Sequence, residues 1–319
     1  MLTPDEAVLF RAFPPIGVIL FARNIGEPRQ LARLMIQLRR VLPPGALLMV
    51  DQEGGRVARL RPPHWRGHKP AAALGALFDT SPAAALRAAW LTGALIGLDC
   101  AAAGFDTAAA PVLDLPIPGA HDVIGDRALA AEPVIIGRLG RALAAGLMAA
   151  GVQPVGKHAP GHGRARVDSH LSLPTVDANN LDRDLLPFAL NADMPWMMTA
   201  HIVYAAFDPI CPATLSPTVI HEIIRGRIGF EGVLVTDDLA MKALSGAPAE
   251  LAARALAAGC DVALYCSGDF GPTEALLRTC PPLTDTARMR LAAARTTAAR
   301  SRLPLSPVPL AQERDRLLG

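Results

Sequence analysis

The sequence predicts an α/β fold, a (β/α)8 barrel of the TIM type that forms a single domain. Two observations predict it: short apolar runs alternate with helix-period segments, and six of the seven runs end in a polar side chain. Nearly unbroken apolar runs are typical of parallel strands that are covered on both faces. The carboxyl ends of barrel strands form the mouth of the active site, which explains why polar groups follow them.

The candidate strands number seven, one fewer than a closed eight-stranded barrel requires. They cover residues 16–22, 46–52, 105–112, 152–158, 195–201, 232–238 and 260–266. The polar side chains at their ends are Arg23 and Asn24, Asp51 and Glu53, Asp114, Lys157 and His158, His201, and Asp237 and Asp238. An open doubly wound sheet would gather its ligand groups near one switch point, and no GxGxxG motif follows any of these strands. The spread of polar ends therefore favours a barrel.

Amphipathic helices are predicted between the strands. The residues on one helical face are Leu31, Leu34, Met35, Leu38 and Leu42 in segment 27–42, and Ile135, Leu139, Leu143 and Leu147 in segment 132–151. Pro133 suits the first turn of the second helix, and Gly151 suits its end. The barrel is predicted over residues 1–303, and residues 304–319 have the composition of a Pro-rich C-terminal tail.

The composition gives no electrostatic reason to expect a nucleic-acid or membrane partner. The chain carries 31 basic and 29 acidic residues, a net charge of +2, whereas such partners usually require a clustered basic face. The N-terminus lacks the basic start and apolar stretch of a secretory signal, and the longest uncharged run, 142–156, is too short to span a bilayer. Five scattered cysteines form no CxxC pair and are expected to be reduced thiols. We expect a soluble, monomeric, cytoplasmic protein.

The segment GKHAPGHGRARVDSH, residues 156–170, concentrates polar chemistry in an otherwise apolar region. One interpretation is a metal site, because histidine and aspartate are common ligands. The candidate ligands are His158, His162, Asp168 and His170, with His201 and Asp237 available for a second cluster. Their spacing matches no tight pattern such as HExxH. The metal interpretation therefore stays open.

A solvated basic loop is the second interpretation of this segment. It accounts for Arg164 and Arg166. It does not account for Lys157 and His158, which end an apolar strand, because long charged side chains are seldom buried without a partner or a ligand.

A catalytic dyad is the third interpretation. Asp168 and His170 are two residues apart, so both side chains can lie on one side of an extended segment. The carboxylate can then fix the tautomer and orientation of the imidazole and support its charged form. Two other strand ends carry carboxylates that could complete such a site. Residues 50–60, VDQEGGRVARL, place Asp51 before a Gly-Gly pair, and residues 232–241, GVLVTDDLAM, end a strand in paired aspartates.

The paired aspartates have a structural interpretation as well as a chemical one. A helix N-cap followed by an acid in the first turn accounts for Asp238. It accounts less well for Asp237, which lies at the strand end itself.

Taken together, these segments resemble glycoside hydrolase family 3, and within it the single-domain β-N-acetylglucosaminidases (β-N-acetylhexosaminidases) of bacterial peptidoglycan recycling. The resemblance runs from about Gly17 to Asp261. The matching segments are GVILFARNI, VDQEGGRVARL, APVLDL, IGDRAL, GKHAPGHGRARVDSHLSLP, MTAHIVY, GFEGVLVTDDLAM and AGCDVAL. Eight such segments in the family's order are a specific signal.

The resemblance implies a role for each matching residue. Asp237 corresponds to the nucleophile, His170 to the general acid/base and Asp168 to its orienting partner. The residues at sugar-binding positions are Asp51, Arg59, Arg127, Lys157 and His158, and His201 lines the pocket. The implied mechanism is retaining double displacement, in which a histidine replaces the carboxylic acid that most retaining glycosidases use. An unperturbed imidazole titrates near pH ~6.5, so it can both give and take a proton near neutrality.

The resemblance also implies a substrate, N-acetylglucosaminyl-β-1,4-anhydro-N-acetylmuramic acid with or without its peptide, and no cofactor or metal. The alternatives are a phosphorylase that uses the same site with phosphate as acceptor, a zinc-dependent hydrolase built on His158, His162 and His170, and an inactive barrel that only binds cell-wall sugars.

Three features depart from the family pattern. Ala159 stands where an aromatic residue is usual, and Thr236 precedes the nucleophile where Ser is usual. Family members also begin with a strand before the LTPDE-type segment. Either that strand lies upstream of Met1, or the barrel closes with seven strands.

Overall fold

The computed structural model describes residues 1–319, and nine strands and ten α-helices make up its regular structure. The strands are β1 (Gly17–Leu20), β2 (Leu47–Val50), β3 (Thr107–Ala108), β4 (Gln153–Ala159), β5 (Thr175–Val176), β6 (Trp196–Thr199), β7 (Val203–Tyr204), β8 (Val233–Asp238) and β9 (Val262–Leu264). The helices are α1 (Pro4–Ala12), α2 (Pro28–Val41), α3 (Ala72–Thr80), α4 (Pro82–Ala103), α5 (Pro133–Ala149), α6 (Asp182–Ala189), α7 (Pro248–Ala258), α8 (Phe270–Thr279), α9 (Asp285–Ser301) and α10 (Pro307–Leu318). A π-helix covers Val219–Arg227.

Seven strands form one parallel sheet in the order β1-β2-β3-β4-β6-β8-β9. Six of the seven predicted apolar runs contain one of these strands and the run 152–158 overlaps β4, so the predicted α/β barrel class is confirmed. β5 and β7 pair with each other outside the sheet. Because all seven strands run in the same direction, their carboxyl ends meet at one rim, where the polar side chains collect.

The sheet curls but does not close. β1 and β9 each pair on one side only, so the seven strands form a barrel wall with one gap. An apolar cleft of about 940 Å³ borders both edges and reaches interior side chains such as Trp196 and Val235. The alternative of a barrel closed by seven strands is therefore not what this chain forms.

The helices cover the sheet as their apolar faces predict. In α2 the buried residues are Leu31, Leu34, Met35, Leu38 and Val41. α4 is long and apolar enough to cross a membrane, but 61% of that stretch is buried inside the protein. It packs closely on α5, where any side chain at Gly93 would collide with the Leu143 carbonyl, and any at Gly146 with the Trp90 carbonyl. α4 is therefore a core helix whose glycines permit close contact.

The C-terminal segment 304–319 forms a helix, α10, which its Pro-rich composition did not predict. Pro307 and Pro309 lie in the first turn, where the backbone N–H groups have no intrahelical partner to lose. The helix packs against α4 and α3. Glu313 there accepts two hydrogen bonds from Arg87, at 2.8 and 2.7 Å. The segment thus extends the helical layer of the barrel.

Candidate active site

A cavity of about 260 Å³ lies at the rim where the strands end. Seven of the nine predicted site residues line it: Asp51, Arg59, Arg127, Lys157, His158, His170 and Asp237. The other two, Asp168 and His201, lie directly behind residues of its wall. Residues separated by up to 186 positions in sequence, from Asp51 to Asp237, are thus brought together by the parallel strand ends.

A chain of alternating charges forms one wall of the cavity. Lys157 Nζ lies 2.6 Å from an oxygen of Asp51 and 2.6 Å from an oxygen of Glu53. Asp51 also accepts a hydrogen bond from Arg59 at 2.9 Å. Glu53 accepts two from Arg127, at 2.9 and 2.8 Å. The network contains three cations and two carboxylates, so it leaves one positive charge at the cavity.

Each charge in this network depends on its partners because the groups are buried. Burial opposes the charged form of Lys157, but Asp51 and Glu53 outweigh it and raise the pKa of the ammonium. Burial likewise opposes ionisation of Asp51, and Lys157 and Arg59 outweigh it and lower the pKa of the carboxyl. Burial also opposes ionisation of Glu53, and Lys157 and Arg127 outweigh it and lower the pKa of that carboxyl. All three groups are therefore charged at neutral pH, and each is held at a fixed position.

Asp114 organises the end of β4 from below the cavity. Its Oδ2 lies 2.7 Å from Nδ1 of His158, and its Oδ1 accepts hydrogen bonds from the N–H groups of His158 (3.1 Å) and His162 (2.7 Å). Burial opposes ionisation of Asp114, but the charge of His158 and these hydrogen bonds hold its pKa at about 2. The peptide bond between Lys157 and His158 is cis, and both side chains line the cavity.

Asp237 lies near the end of β8 and lines the cavity. Its Oδ1 accepts the N–H of Asp238 at 2.8 Å. Burial opposes its ionisation, but the nearby charges of His158 and His201 lower the pKa of the carboxyl below its usual range. Asp237 is therefore ionised at neutral pH. Asp238 caps a loop and not a helix, because it accepts the N–H groups of Ala240 and Cys266, each at 2.9 Å.

Asp168 and His170 form a hydrogen-bonded pair on the segment between β4 and β5. Asp168 Oδ1 lies 2.7 Å from Nδ1 of His170 and also accepts the His170 N–H at 2.9 Å. Burial opposes ionisation of Asp168, but these contacts together outweigh it and lower the pKa of the carboxyl. The imidazole is 62% exposed and lines the cavity. An ionised Asp168 requires a proton on Nδ1, which leaves Nε2 for chemistry in the cavity.

His201 is fully buried behind the cavity wall. Its Nε2 donates to the carbonyl of Asp238 at 3.0 Å, because a carbonyl can only accept, and its Nδ1 lies 2.7 Å from the Thr214 hydroxyl. Burial lowers the pKa of the imidazole, so His201 is neutral at neutral pH. It supports the backbone next to Asp237 and does not reach the cavity surface.

Each histidine of the 156–170 segment contacts a different partner. His158 contacts Asp114, His162 contacts Ser169, and His170 contacts Asp168. No group of three or more His, Cys, Asp or Glu side chains in the structure is arranged to hold a metal ion. The proposed zinc ligands therefore do not converge.

The solvated-loop interpretation is wrong for Arg164. Its Nε lies 2.9 Å from an oxygen of the buried Asp184, so the guanidinium serves as the partner of a buried carboxylate. Arg166 is exposed, as that interpretation predicted.

The binding and catalytic roles predicted from the sequence did not include Glu53, Asp114 or Ser169, and His162 was named only as a candidate metal ligand. Glu53 and Asp114 follow strands, and that position alone predicted that they lie near the rim. It did not reveal that both hold other side chains and do not line the cavity. Ser169 carried no signal, because a serine between two polar residues is unremarkable in any loop.

Comparison with known proteins identifies the family of this chain. A model of the glycosyl hydrolase family 3 N-terminal domain matches residues 15–299. The chain belongs to glycosyl hydrolase family 3. A β-hexosaminidase of Alkalilimnicola ehrlichii is 42% identical over 282 residues, which are 86% of this chain and 80% of that protein. One of Aromatoleum aromaticum is 37% identical over 315 residues, 95% of this chain and 87% of that protein.

A solved structure of the family shows the same architecture. NagZ from Neisseria gonorrhoeae, crystallised with N-trifluoroacetyl-D-glucosamine, aligns with a TM-score of 0.86 at 31% identity over 100% of this chain and 94% of its own. The family 3 chain is therefore a glycoside hydrolase of the bacterial β-N-acetylhexosaminidase type, and the family resemblance read from its motifs is confirmed.

Proposed function

We propose that the protein is a retaining exo-β-N-acetylglucosaminidase in which Asp237 is the nucleophile and His170, oriented by Asp168, is the general acid/base. The observation that carries the proposal is the position of an ionised carboxylate and a free imidazole nitrogen on one small cavity. Asp237 reaches it from β8, and His170 reaches it from the segment after β4. Two groups on different elements can act on opposite ends of one glycosidic bond.

The reaction proceeds by two displacements. Asp237 attacks the anomeric carbon, the bond to the leaving oxygen breaks, and His170 donates the Nε2 proton to that oxygen. Water then attacks the same carbon while His170 takes a proton back, the bond to Asp237 breaks, and the sugar leaves with its β configuration. Asp168 stabilises the imidazolium that donates the proton in the first step and that forms again when His170 takes a proton from water in the second.

The charge network is suited to binding one sugar unit. The side chains of Asp51, Arg59, Arg127, Lys157 and His158 present donors and acceptors to the cavity. Because each is fixed by a partner, a hydroxyl can bind without first ordering a mobile side chain. A volume of about 260 Å³ is at the small end for ligand pockets, which favours a single terminal sugar unit over an internal stretch of polymer.

The natural substrate that we propose is N-acetylglucosaminyl-1,6-anhydro-N-acetylmuramic acid, free or attached to its peptide, cleaved by a monomer in the cytoplasm during peptidoglycan recycling. Support comes from the family resemblance and from relatives named β-hexosaminidase and NagZ. A near-neutral charge and a small-molecule cavity fit this proposal and give no reason to add a nucleic-acid partner or a cofactor.

Nitrophenol release from 4-nitrophenyl N-acetyl-β-D-glucosaminide tests the proposal, with chelator present throughout. We expect turnover by the wild type and loss of at least about a thousandfold in Asp237→Asn, because the amide cannot act as the nucleophile. A folded wild type without turnover would contradict the proposal. Repeating the assay with phosphate and analysing the products distinguishes hydrolysis from phosphorolysis, since only the latter yields a glycosyl phosphate.

A further inference from the structure

Ser169 is the one buried residue in an otherwise exposed stretch of the segment that carries the dyad. It is 2% exposed, whereas Arg166, Val167 and the residues 170–173 are exposed. A polar side chain is buried only when it has a hydrogen-bond partner. The Ser169 hydroxyl has one, Nε2 of His162, at 2.9 Å.

His162 is a rigid partner for that hydroxyl. Its backbone N–H donates to Asp114 at 2.7 Å, its ring packs edge-on against His158, and its side chain is 3% exposed. Burial, and next the charge of His158, lower the pKa of the His162 imidazole to about 4, so the ring is neutral under assay conditions. The Ser169 carbonyl accepts the N–H of Ala243 at 3.2 Å, in the loop that follows β8.

We propose that the His162–Ser169 hydrogen bond is a latch that sets the position of the general acid. Ser169 lies between Asp168 and His170, so whatever fixes Ser169 fixes the two members of the dyad. One tether runs to the end of β4 and the other to the loop after the nucleophile strand β8. His162 and Ser169 are positioning residues, because neither transfers a proton to the substrate. The inference rests on the proposed function.

The latch predicts a loss that depends on how much the leaving group needs acid. The nitrophenolate ion leaves readily without protonation. The leaving group of N,N′-diacetylchitobiose is the 4-hydroxyl oxygen of a second N-acetylglucosamine, which must be protonated as it leaves. A displaced acid therefore harms the second substrate more. The parameter to compare is kcat/KM, since it reports the glycosylation step, in which His170 acts as an acid.

The experiment measures kcat/KM on both substrates for the wild type and Ser169→Ala. We expect Ser169→Ala to lose about tenfold or more on chitobiose and only about two- to threefold on the nitrophenyl glycoside. The matched control is Ser172→Ala, an exposed serine three positions away whose hydroxyl makes no hydrogen bond, and it should match the wild type on both. Thermal unfolding of each variant should stay within a few degrees of the wild type.

A double-mutant cycle with His162→Leu checks that the two residues act through one contact. If they do, the double variant is no worse on chitobiose than the poorer single variant. The latch would be overturned if the loss in the double variant equalled the product of the losses in the two single variants. It would also be overturned if Ser169→Ala lost kcat/KM equally on both substrates, or lost none. A wild type that cleaves neither substrate would instead contradict the proposed function.

Discussion

The carboxylate of Asp114 lies 2.7 Å from Nδ1 of His158 and keeps a proton on that nitrogen. An ionised carboxylate can only accept, and although burial opposes ionisation of Asp114, the charge of His158 and the hydrogen bonds from His158 and His162 hold its pKa at about 2. Nδ1 of His158 is therefore protonated, and Nε2 is the nitrogen left for a ligand. Asp114 is 0% exposed, so this effect reaches the cavity entirely through His158.

Asp114→Asn should lower stability in a pH-dependent way. The asparagine carbonyl can still accept the N–H groups of His158 and His162, but the amide removes the negative charge and the acceptor that faces Nδ1 of His158. A pKa that falls from 3.8 to about 2 on folding corresponds to roughly 2 kcal/mol of unfolding free energy. This stabilisation is complete above the unfolded pKa and is lost as pH falls through the folded one.

Urea unfolding of both proteins at several pH values between 6 and 2 checks this prediction. The difference in unfolding free energy should be constant down to about pH 5 and should shrink below about pH 4. A difference that does not change with pH would mean that the asparagine acts through shape and not charge.

Removal of the dyad should affect turnover more than binding. Because Asp168 and His170 act on the proton in the transition state, His170→Ala should lower kcat by about a hundredfold or more and Asp168→Asn by less, with little change in KM. Steady-state kinetics on N,N′-diacetylchitobiose, whose leaving group must be protonated, measures both parameters. A rise in KM with kcat unchanged would move the pair from catalysis to substrate binding.

The strands and the rim were predictable from sequence because both depend on local pattern. An apolar run such as 232–238 identifies a buried parallel strand, and the polar residue at its end identifies the rim. What the pattern could not supply is pairing across the rim. Glu53 and Arg127 are 74 positions apart, and nothing in either neighbourhood indicates that they form a buried ion pair.

Helix α10 was missed for a different reason. Proline lowers helix propensity in general, but the first turn tolerates it, and the helix is stabilised by packing on α4 and by the Arg87–Glu313 pair. The open gap between β1 and β9 likewise depends on which edges find a partner, a property of the assembled sheet and not of any one segment.

Glu53→Gln should show that the charge network depends on a residue that does not line the cavity. Glu53 does not line the cavity, yet it anchors both Lys157 and Arg127, which do. Loss of one partner from a buried ion pair leaves uncompensated charge and costs up to about 3–5 kcal/mol. We expect a lower unfolding free energy and a higher KM, because the two cations lose their fixed positions.

The matched control for this variant is Glu132→Gln, which breaks an ion pair with Arg183 whose side chains are 64% and 61% exposed. Exposed pairs contribute little, so its unfolding free energy should change by less than about 1 kcal/mol and its KM should not change. Equal effects in the two variants would show that the network at the cavity is no more than surface charge.

Covalent trapping should identify the nucleophile among two adjacent aspartates. Both lie at the end of β8, but only Asp237 has a lowered pKa, whereas burial raises that of Asp238, whose Oδ1 is engaged by two backbone N–H groups. A fluorinated N-acetylglucosamine analogue with a good leaving group forms the glycosyl-enzyme quickly and hydrolyses slowly. Peptide mapping by mass spectrometry should place the sugar on Asp237. A label on Asp238 would move the nucleophile by one residue. If Asp237→Asn still took up the label, attack by Asp237 would be ruled out.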